Sequence, residues 1–264
     1  MRVYLEGIGV IGPGLNGWTA SRPILAGDTA YAPTPTQLAA SDLLPVAERR
    51  RAGIPIKLAL AVAQEAHMHA GRAANSTATV FTSSGGDNDN VHAINTILAT
   101  APREVSPTRF MNSVHNSAAG YWCIAAQTHE PSTSLCAYNG SFAAGLLEAA
   151  AQVSVDLASV ALVAYDHPHP EPLNAVRPIA GCFGVALIIV PYPTERTFAV
   201  LDVAYVARHG EASSVRDPAL EALRLGNPSA RSLPLLAALA CAQPAQVVLD
   251  YLDDAHLTVV VTPC

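Results

Sequence analysis

Charge is scarce in this sequence. Only 14% of its 264 residues are Asp, Glu, Lys or Arg, and the balance is acidic, at a formal −6. No basic stripe exists to neutralise phosphates, which argues against a nucleic-acid partner. No apolar run is long enough to span a bilayer, so no membrane span is expected. The first residues lack the charged and apolar regions of a secretory leader, and a cytoplasmic protein is expected. Cysteine is sparse and unpatterned. Cys123, Cys136, Cys182, Cys241 and Cys264 are odd in number and show no CxxC spacing, so buried reduced thiols are expected rather than a disulfide framework.

What is abundant is apolar. Half the residues are hydrophobic and mean hydropathy is +0.27. A chain of this length can bury a sizeable core as one domain spanning 1–264, and no linker divides it. So apolar a surface also suggests a large face covered by a partner.

The centre of the sequence is residues 132 to 153, STSLCAYNGSFAAGLLEAAAQV. Ser132 to Tyr138 reads as a short buried strand. Tyr138-Asn139-Gly140 reads as a sharp elbow with Asn139 as helix N-cap. Leu146, Leu147, Ala150 and Val153 recur at helical spacing from Phe142 onward. Gly140, Ser141, Ala143, Ala144 and Gly145 keep the first helical turns slim. A strand, elbow and helix can present a nucleophile, with backbone N–H groups behind it. Here the elbow carries an amide, which is no nucleophile, and a plain strand–helix turn is the simpler reading.

Around this centre, strands and helices alternate. Strands are predicted at Arg2 to Val10, Thr77 to Phe81, Ala158 to Tyr165, Phe183 to Val190, Ala199 to Ala207, Val247 to Tyr251 and Leu257 to Val261. The first ends in Gly7, Gly9 and Gly12-Pro13-Gly14, which is not a dinucleotide fingerprint because Pro13 breaks the pattern. Helices are predicted at Trp18 to Leu25, Ile56 to Ala70, Asp87 to Leu98, Ser117 to Ala126, Pro218 to Arg224 and Ser232 to Ala242. Thr29 to Pro45, Glu104 to His115 and Asp166 to Pro178 read as loops. The class is α/β, with helices packed on mixed sheets.

The candidate reactive groups are few. His67 and His69, at i and i+2 on a helix, point to different faces and cannot share a metal. His167 and His169 lie in a Pro-rich loop with no carboxylate or Cys suitably spaced, so no metal and no cofactor are expected. Cys136 falls inside the predicted strand, where burial would blunt it. Ser141 as a hydrolase nucleophile lacks the flanking glycine pattern. His209 follows a strand and reads as a solvated loop residue. His115 belongs to a more informative stretch.

That stretch is Ser106-Pro107 through Asn116-Ser117-Ala118-Ala119-Gly120. With the STSLCAYNGSFAAGLLEA elbow, Ser84-Gly85-Gly86 and Arg177-Pro178 before Gly181 to Val190, it resembles the β-ketoacyl synthase family of thiolase-fold condensing enzymes. The resemblance covers roughly residues 1 to 210. It implies a thiolase-like fold, with an N-terminal half of about 1–195 and a shortened C-terminal half, 196–264. It places the family's catalytic Cys at Asn139. The family's His-Gly-Thr-Gly-Thr and Lys…Gly-His motifs are missing from the C-terminal part.

Condensation needs a thiolate to carry the chain and imidazoles to assist decarboxylation. The chain is therefore not expected to condense anything alone. It resembles the chain length factors of aryl polyene clusters. That likeness implies a heterodimer with an active β-ketoacyl synthase, and an acyl carrier protein reached through the complex. Ser132 to Tyr138, including Ser134, Cys136 and Tyr138, would form the dimer-edge strand. Phe110, Met111, Asn112, Val114, His115 and Asn116 would line or close the partner's acyl tunnel, or simply fill the interface. Two other readings stay open: an acyl-condensing or acyl-transfer enzyme using Cys136, and a purely structural scaffold subunit.

Overall fold

A computed structural model describes residues 1–38 and 42–264. The predicted loop from Thr29 to Pro45 includes 39–41, which lie outside the described residues. In chain order the strands are β1 (Arg2–Gly12), β2 (Leu15–Asn16), β3 (Ala78–Thr82), β4 (Ser132–Leu135), β5 (Val160–Asp166), β6 (Phe183–Val190), β7 (Ala199–Ala207), β8 (Ala245–Leu252) and β9 (Ala255–Pro263). The helices are α1 (Trp18–Ala26), α2 (Val46–Arg51), α3 (Ile54–Ala70), α4 (Asn88–Leu98), α5 (Pro107–Asn112), α6 (Ser117–Ala126), α7 (Ser141–Asp156), α8 (Leu173–Val176), α9 (Pro218–Gly226) and α10 (Leu233–Cys241).

The described strands form one mixed sheet in the order β4-β3-β5-β6-β1-β7-β9-β8, with β2 paired to β1. β3 runs parallel to β4 and β5. The remaining pairings are antiparallel. The apolar runs of β5 and β6 are buried at every residue because helices cover both sheet faces. Alternation along β5 divides the core. Val160, Leu162 and Ala164 join Phe142, Leu146 and Val153 of α7 on one face. Ala161, Val163 and Tyr165 join Ile56, Leu60 and Ala63 of α3 and Trp122 of α6 on the other. Among the described residues no helix is long and apolar enough to cross a membrane.

Three local expectations need correction. Gly7 and Gly9 do not end the first strand. They lie inside β1 because the α3 backbone rests on them: a Cβ on Gly9 would sit 2.2 Å from the Val62 carbonyl oxygen. Residues 104–115 are not all loop, since Pro107 opens the short helix α5 after Ser106. The central strand stops at Leu135, and a single 3₁₀ turn, Tyr138–Gly140, follows before α7. It is a half-exposed edge strand rather than a buried one.

Helix α3 also carries the His67/His69 pair, whose rings do separate. His67 stacks on Trp122 with ring centroids 5.4 Å apart, and His69 Nδ1 accepts the Ile8 N–H at 3.0 Å. Burial at His67, and partial desolvation at the otherwise exposed His69, hold both imidazoles below the ordinary histidine range. In the unfolded chain they titrate near 6.5. Below that value the unfolded state takes up protons that the folded state refuses, so these two histidines make stability fall as pH falls. We expect the urea midpoint to be flat above about pH 6.5 and to drop between about pH 6.5 and 5. A midpoint that holds steady or rises over that window would contradict it.

Candidate functional site

The elbow between β4 and α7 is built by backbone hydrogen bonds and one arginine. Ser141 Oγ accepts the Ala137 N–H at 3.0 Å and donates to the Tyr138 carbonyl at 2.8 Å. Thr82 Oγ1 donates to the Ser141 carbonyl at 2.8 Å, fixing the start of α7 to β3. The Ser141 hydroxyl is buried and fully used in this turn, which removes it as a hydrolase nucleophile. Asn139 is not the N-cap. Gly140 occupies that position, without a side-chain capping bond. The left-handed residue is Tyr138, with φ of 51°, a conformation disfavoured for an aromatic residue. Gly140 is required by a close approach, since a Cβ there would lie 2.3 Å from the Tyr251 carbonyl oxygen of β8.

Arg177 closes the elbow from outside. Its guanidinium carbon lies 3.4 Å from the centroid of the Tyr138 ring, and Nη2 donates to Asn139 Oδ1 at 3.4 Å. This cation–π contact pairs the exposed Tyr138 with a residue far along the chain. Asn139 itself is half-buried. Its amide can accept and donate hydrogen bonds but cannot attack a carbonyl.

Cys136 is exposed and lies past the end of β4, so its expected burial inside the strand is not observed. Cys241 and Cys264 are also exposed, whereas Cys123 and Cys182 are partly buried. Ser134 sits on the edge strand with its buried Oγ lacking a hydrogen-bond partner.

The residues of the 110–116 stretch divide. Phe110, Met111 and Val114 are exposed, Phe110 at 67%, and Asn116 is exposed at the start of α6. Asn112 instead turns into its own chain. Its Nδ2 donates to the Arg51 carbonyl at 2.8 Å, and its Oδ1 accepts the Tyr121 hydroxyl at 3.1 Å. His115 Nε2 lies 3.0 Å from the Ser83 carbonyl, tying this stretch to the loop after β3.

That loop is held by Asp166. Its Oδ1 accepts from Ser84 N at 2.9 Å, Ser84 Oγ at 2.7 Å and Ser83 Oγ at 3.2 Å, and Oδ2 accepts from Ser229 Oγ at 2.7 Å. Burial pushes the Asp166 carboxyl up, while these hydrogen bonds oppose the shift. His169 and His167 are buried beside the loop rather than solvated. Asn88 Nδ2 contacts His169 Nδ1 at 3.0 Å. The sequence offered no carboxylate partner for His167, yet the fold brings Asp87, Asp89 and His167 together, with donor atoms within 4.8 Å of one another. They could meet a metal ion on three sides, but both Asp87 oxygens already cap Asn90. His209 is exposed, as its loop position suggested.

The elbow also reaches residues that no local pattern marks. β8 brings Asp250 and Tyr251, the loop after β7 brings Arg208, and the 3₁₀ turn Ser229–Ser232 brings Arg231 around Tyr138, Asn139 and Gly140, lining an open cavity of about 550 Å³.

The family model described as "Beta-ketoacyl synthase, N-terminal domain" matches residues 26–223, three quarters of the sequence. The chain belongs to this family. Among curated protein sequences, none matches it. Solved structures share the fold of this synthase-family chain at low identity. One is a chain from the complex of the ketosynthase ApeO with its chain length factor ApeC from Xenorhabdus doucetiae. It is 22% identical with a TM-score of 0.73, over 98% of this chain and 99% of that one. Another, from the ishigamide ketosynthase/chain length factor, is 16% identical with a TM-score of 0.72, over 100% and 99%. A third, from AntDE:AntF, a type II polyketide synthase carrier protein in complex with its ketosynthase, is 11% identical with a TM-score of 0.75, over 100% and 99%. The thiolase-like ketosynthase fold therefore extends over essentially all of this synthase-family chain.

Proposed function

We propose that this chain is the non-catalytic chain length factor of a heterodimeric type II β-ketoacyl-carrier-protein synthase of the aryl polyene kind, acting in the cytoplasm. The observation that carries the reading is the elbow. Its tip carries the Asn139 carboxamide, hydrogen-bonded by Arg177, at the position where we place the thiol of a condensing enzyme. The similar structures, a ketosynthase with its chain length factor and the ishigamide ketosynthase/chain length factor, support the same reading. So do the half-exposed edge strand β4 and the exposed Phe110, Met111 and Val114, which suit a covered face.

The test is co-expression with a full-length ketosynthase carrying Cys and two His. The pair should co-purify and elongate carrier-bound chains, and this chain by itself should not. Asn139→Ala should leave turnover of the pair within about twofold, because no covalent step passes through an amide. Condensation by the lone chain, or a large loss in Asn139→Ala, would sink the proposal.

Phe110 is the strongest candidate for a tunnel wall on exposure and size. Phe110→Ala and Met111→Ala should shift the product profile toward longer chains, read by mass spectrometry of extracted polyenes. An unchanged profile in both would assign this face to interface filling and favour a purely structural subunit.

The exposure of Cys136 favours one second reading, an acyl-transfer enzyme using that thiol. Incubation with acyl-carrier protein followed by intact-mass analysis separates the two. A stable acyl adduct lost in Cys136→Ser would support the enzyme reading.

A further inference from the structure

Two carboxylates and an imidazole meet where α4 begins. Asp87 is the N-cap of α4 and Asp89 stands in its first turn. His167 directly follows β5. One donor atom from each lies within 4.8 Å of the other two. Asp87 is only 3% exposed, yet among the described residues no Lys or Arg forms an ion pair with it or with Asp89. A buried carboxylate without a cation is costly, and two hydrogen bonds from Asn90 offset that cost only in part.

Helix capping accounts for the two carboxylates but not for the histidine. Asp87 Oδ1 accepts the Asn90 N–H at 3.1 Å, and acidic residues suit a helix N-terminus. The His167 side chain is 4% exposed, and its Nε2 has no hydrogen-bond partner. Its Nδ1 stands 3.9 Å from Asp89 Oδ2, beyond hydrogen-bond reach. A cation held by all three groups would satisfy the imidazole and neutralise the carboxylates at once. Asp87 keeps the capacity for it. A carboxylate has about four lone-pair sites, and Asn90 takes one on each Asp87 oxygen. The helix end opposes a cation with about half a positive charge, against two negative carboxylates. Ligand atoms about 2.1 Å from zinc stand about 3.4 Å apart in a tetrahedron. The trio is slightly wider than that, and the exposed Asp89 side chain has room to swing inward.

We propose that Asp87, Asp89 and His167 bind a divalent transition-metal ion, with zinc the best match. An imidazole nitrogen beside carboxylate oxygens suits zinc, whereas magnesium and calcium favour sites made of oxygen alone. Water reaching the exposed Asp89 side would complete four-coordination. The ion would clasp the start of α4 to the segment after β5. The inference does not depend on the subunit reading.

The test is isothermal titration of the chelator-stripped full chain, in its complex where it co-purifies, with zinc chloride and with magnesium chloride. One zinc per chain should bind with a dissociation constant of about 10 μM or tighter, and magnesium about a hundredfold more weakly or less. Even the outer partners of a metal are worth about 10–100-fold in affinity. Loss of a direct ligand in Asp89→Asn or His167→Gln should therefore weaken zinc binding at least about tenfold. Asp89 is exposed, so Asp89→Asn tests the site without disturbing the core. His209→Ala, in an exposed loop, should change nothing. Cobalt(II) in place of zinc should show visible d–d bands without the near-ultraviolet band of a thiolate ligand, which distinguishes this site from capture by the exposed Cys136, Cys241 or Cys264. Absence of zinc binding at about 100 μM would overturn the proposal. So would zinc binding that Asp89→Asn and His167→Gln leave unchanged, that His209→Ala weakens equally, or that carries the thiolate band.

Discussion

In the heterodimer proposed above, Ser134→Pro should separate this chain from its ketosynthase while leaving it folded. The reason lies in the alternation of the edge strand. Thr79 N donates to the Pro131 carbonyl at 2.9 Å and Ser83 N to the Leu135 carbonyl at 3.4 Å. Carbonyls of the odd-numbered residues therefore face β3, and the N–H and C=O groups of Ser132 and Ser134 face outward from the sheet. An edge strand tolerates proline where its missing N–H points away from the ladder. Thr133 then precedes proline in the extended conformation it already has. Pairing with β3 is kept, while a strand approaching from the other side meets a ring in place of a donor. Melting should change by about 1 kcal/mol or less, and affinity for the ketosynthase should fall about a hundredfold or more. Size-exclusion chromatography of the mixture reads the outcome directly. Co-elution of Ser134→Pro with the partner would remove β4 from the interface.

Gly9→Val should strongly destabilise the fold. The added Cβ would lie 2.2 Å from the Val62 carbonyl oxygen, 3.0 Å from Ala66 N and 3.1 Å from Glu65 Cβ. Two of these atoms are helix backbone, so relief requires α3 to move off the sheet. Glu65 would move with it, and Glu65 accepts the N–H groups of both Val10 and Trp18. Overpacking in a close-packed core usually costs about 1–3 kcal/mol. A backbone collision with loss of two hydrogen bonds belongs at or above the top of that range. For a total stability of about 5–15 kcal/mol, a drop in melting temperature of about 10 °C and a sharp loss of soluble protein are expected. A thermal melt of Gly9→Val within a degree or two of the parent would show that α3 is not seated on β1 as described.

Much of the secondary structure was legible without the fold. Periodicity of 3.6 marks α3 and α7, and continuous apolar runs mark β5 and β6, because these patterns are local and each element hides one stripe or two faces. The failures are informative for the same reason. Gly7 and Gly9 read as strand punctuation, since nothing nearby in sequence announces that a helix backbone will rest on them. Residues 107–112 read as loop because a six-residue helix carries too few turns to show a period. Ser132 to Tyr138 read as one buried strand, but it stands half-exposed at the sheet edge and only four residues pair.

The elbow shows the same division. Asn139 at the tip, between an apolar strand and a small-residue helix, could be read from the chain directly. The same is true of the missing His motifs. These are matters of identity and order. That Arg177, 38 residues later, stacks on Tyr138 and bonds Asn139 is a matter of tertiary structure. So is the gathering of Arg208, Arg231 and His256 about Asp250. Residue identity fixed which chemistry was absent from the tip of this bend. The folded sheet decided which charges surround it, because electrostatic partners meet through space and leave no periodic trace along a chain.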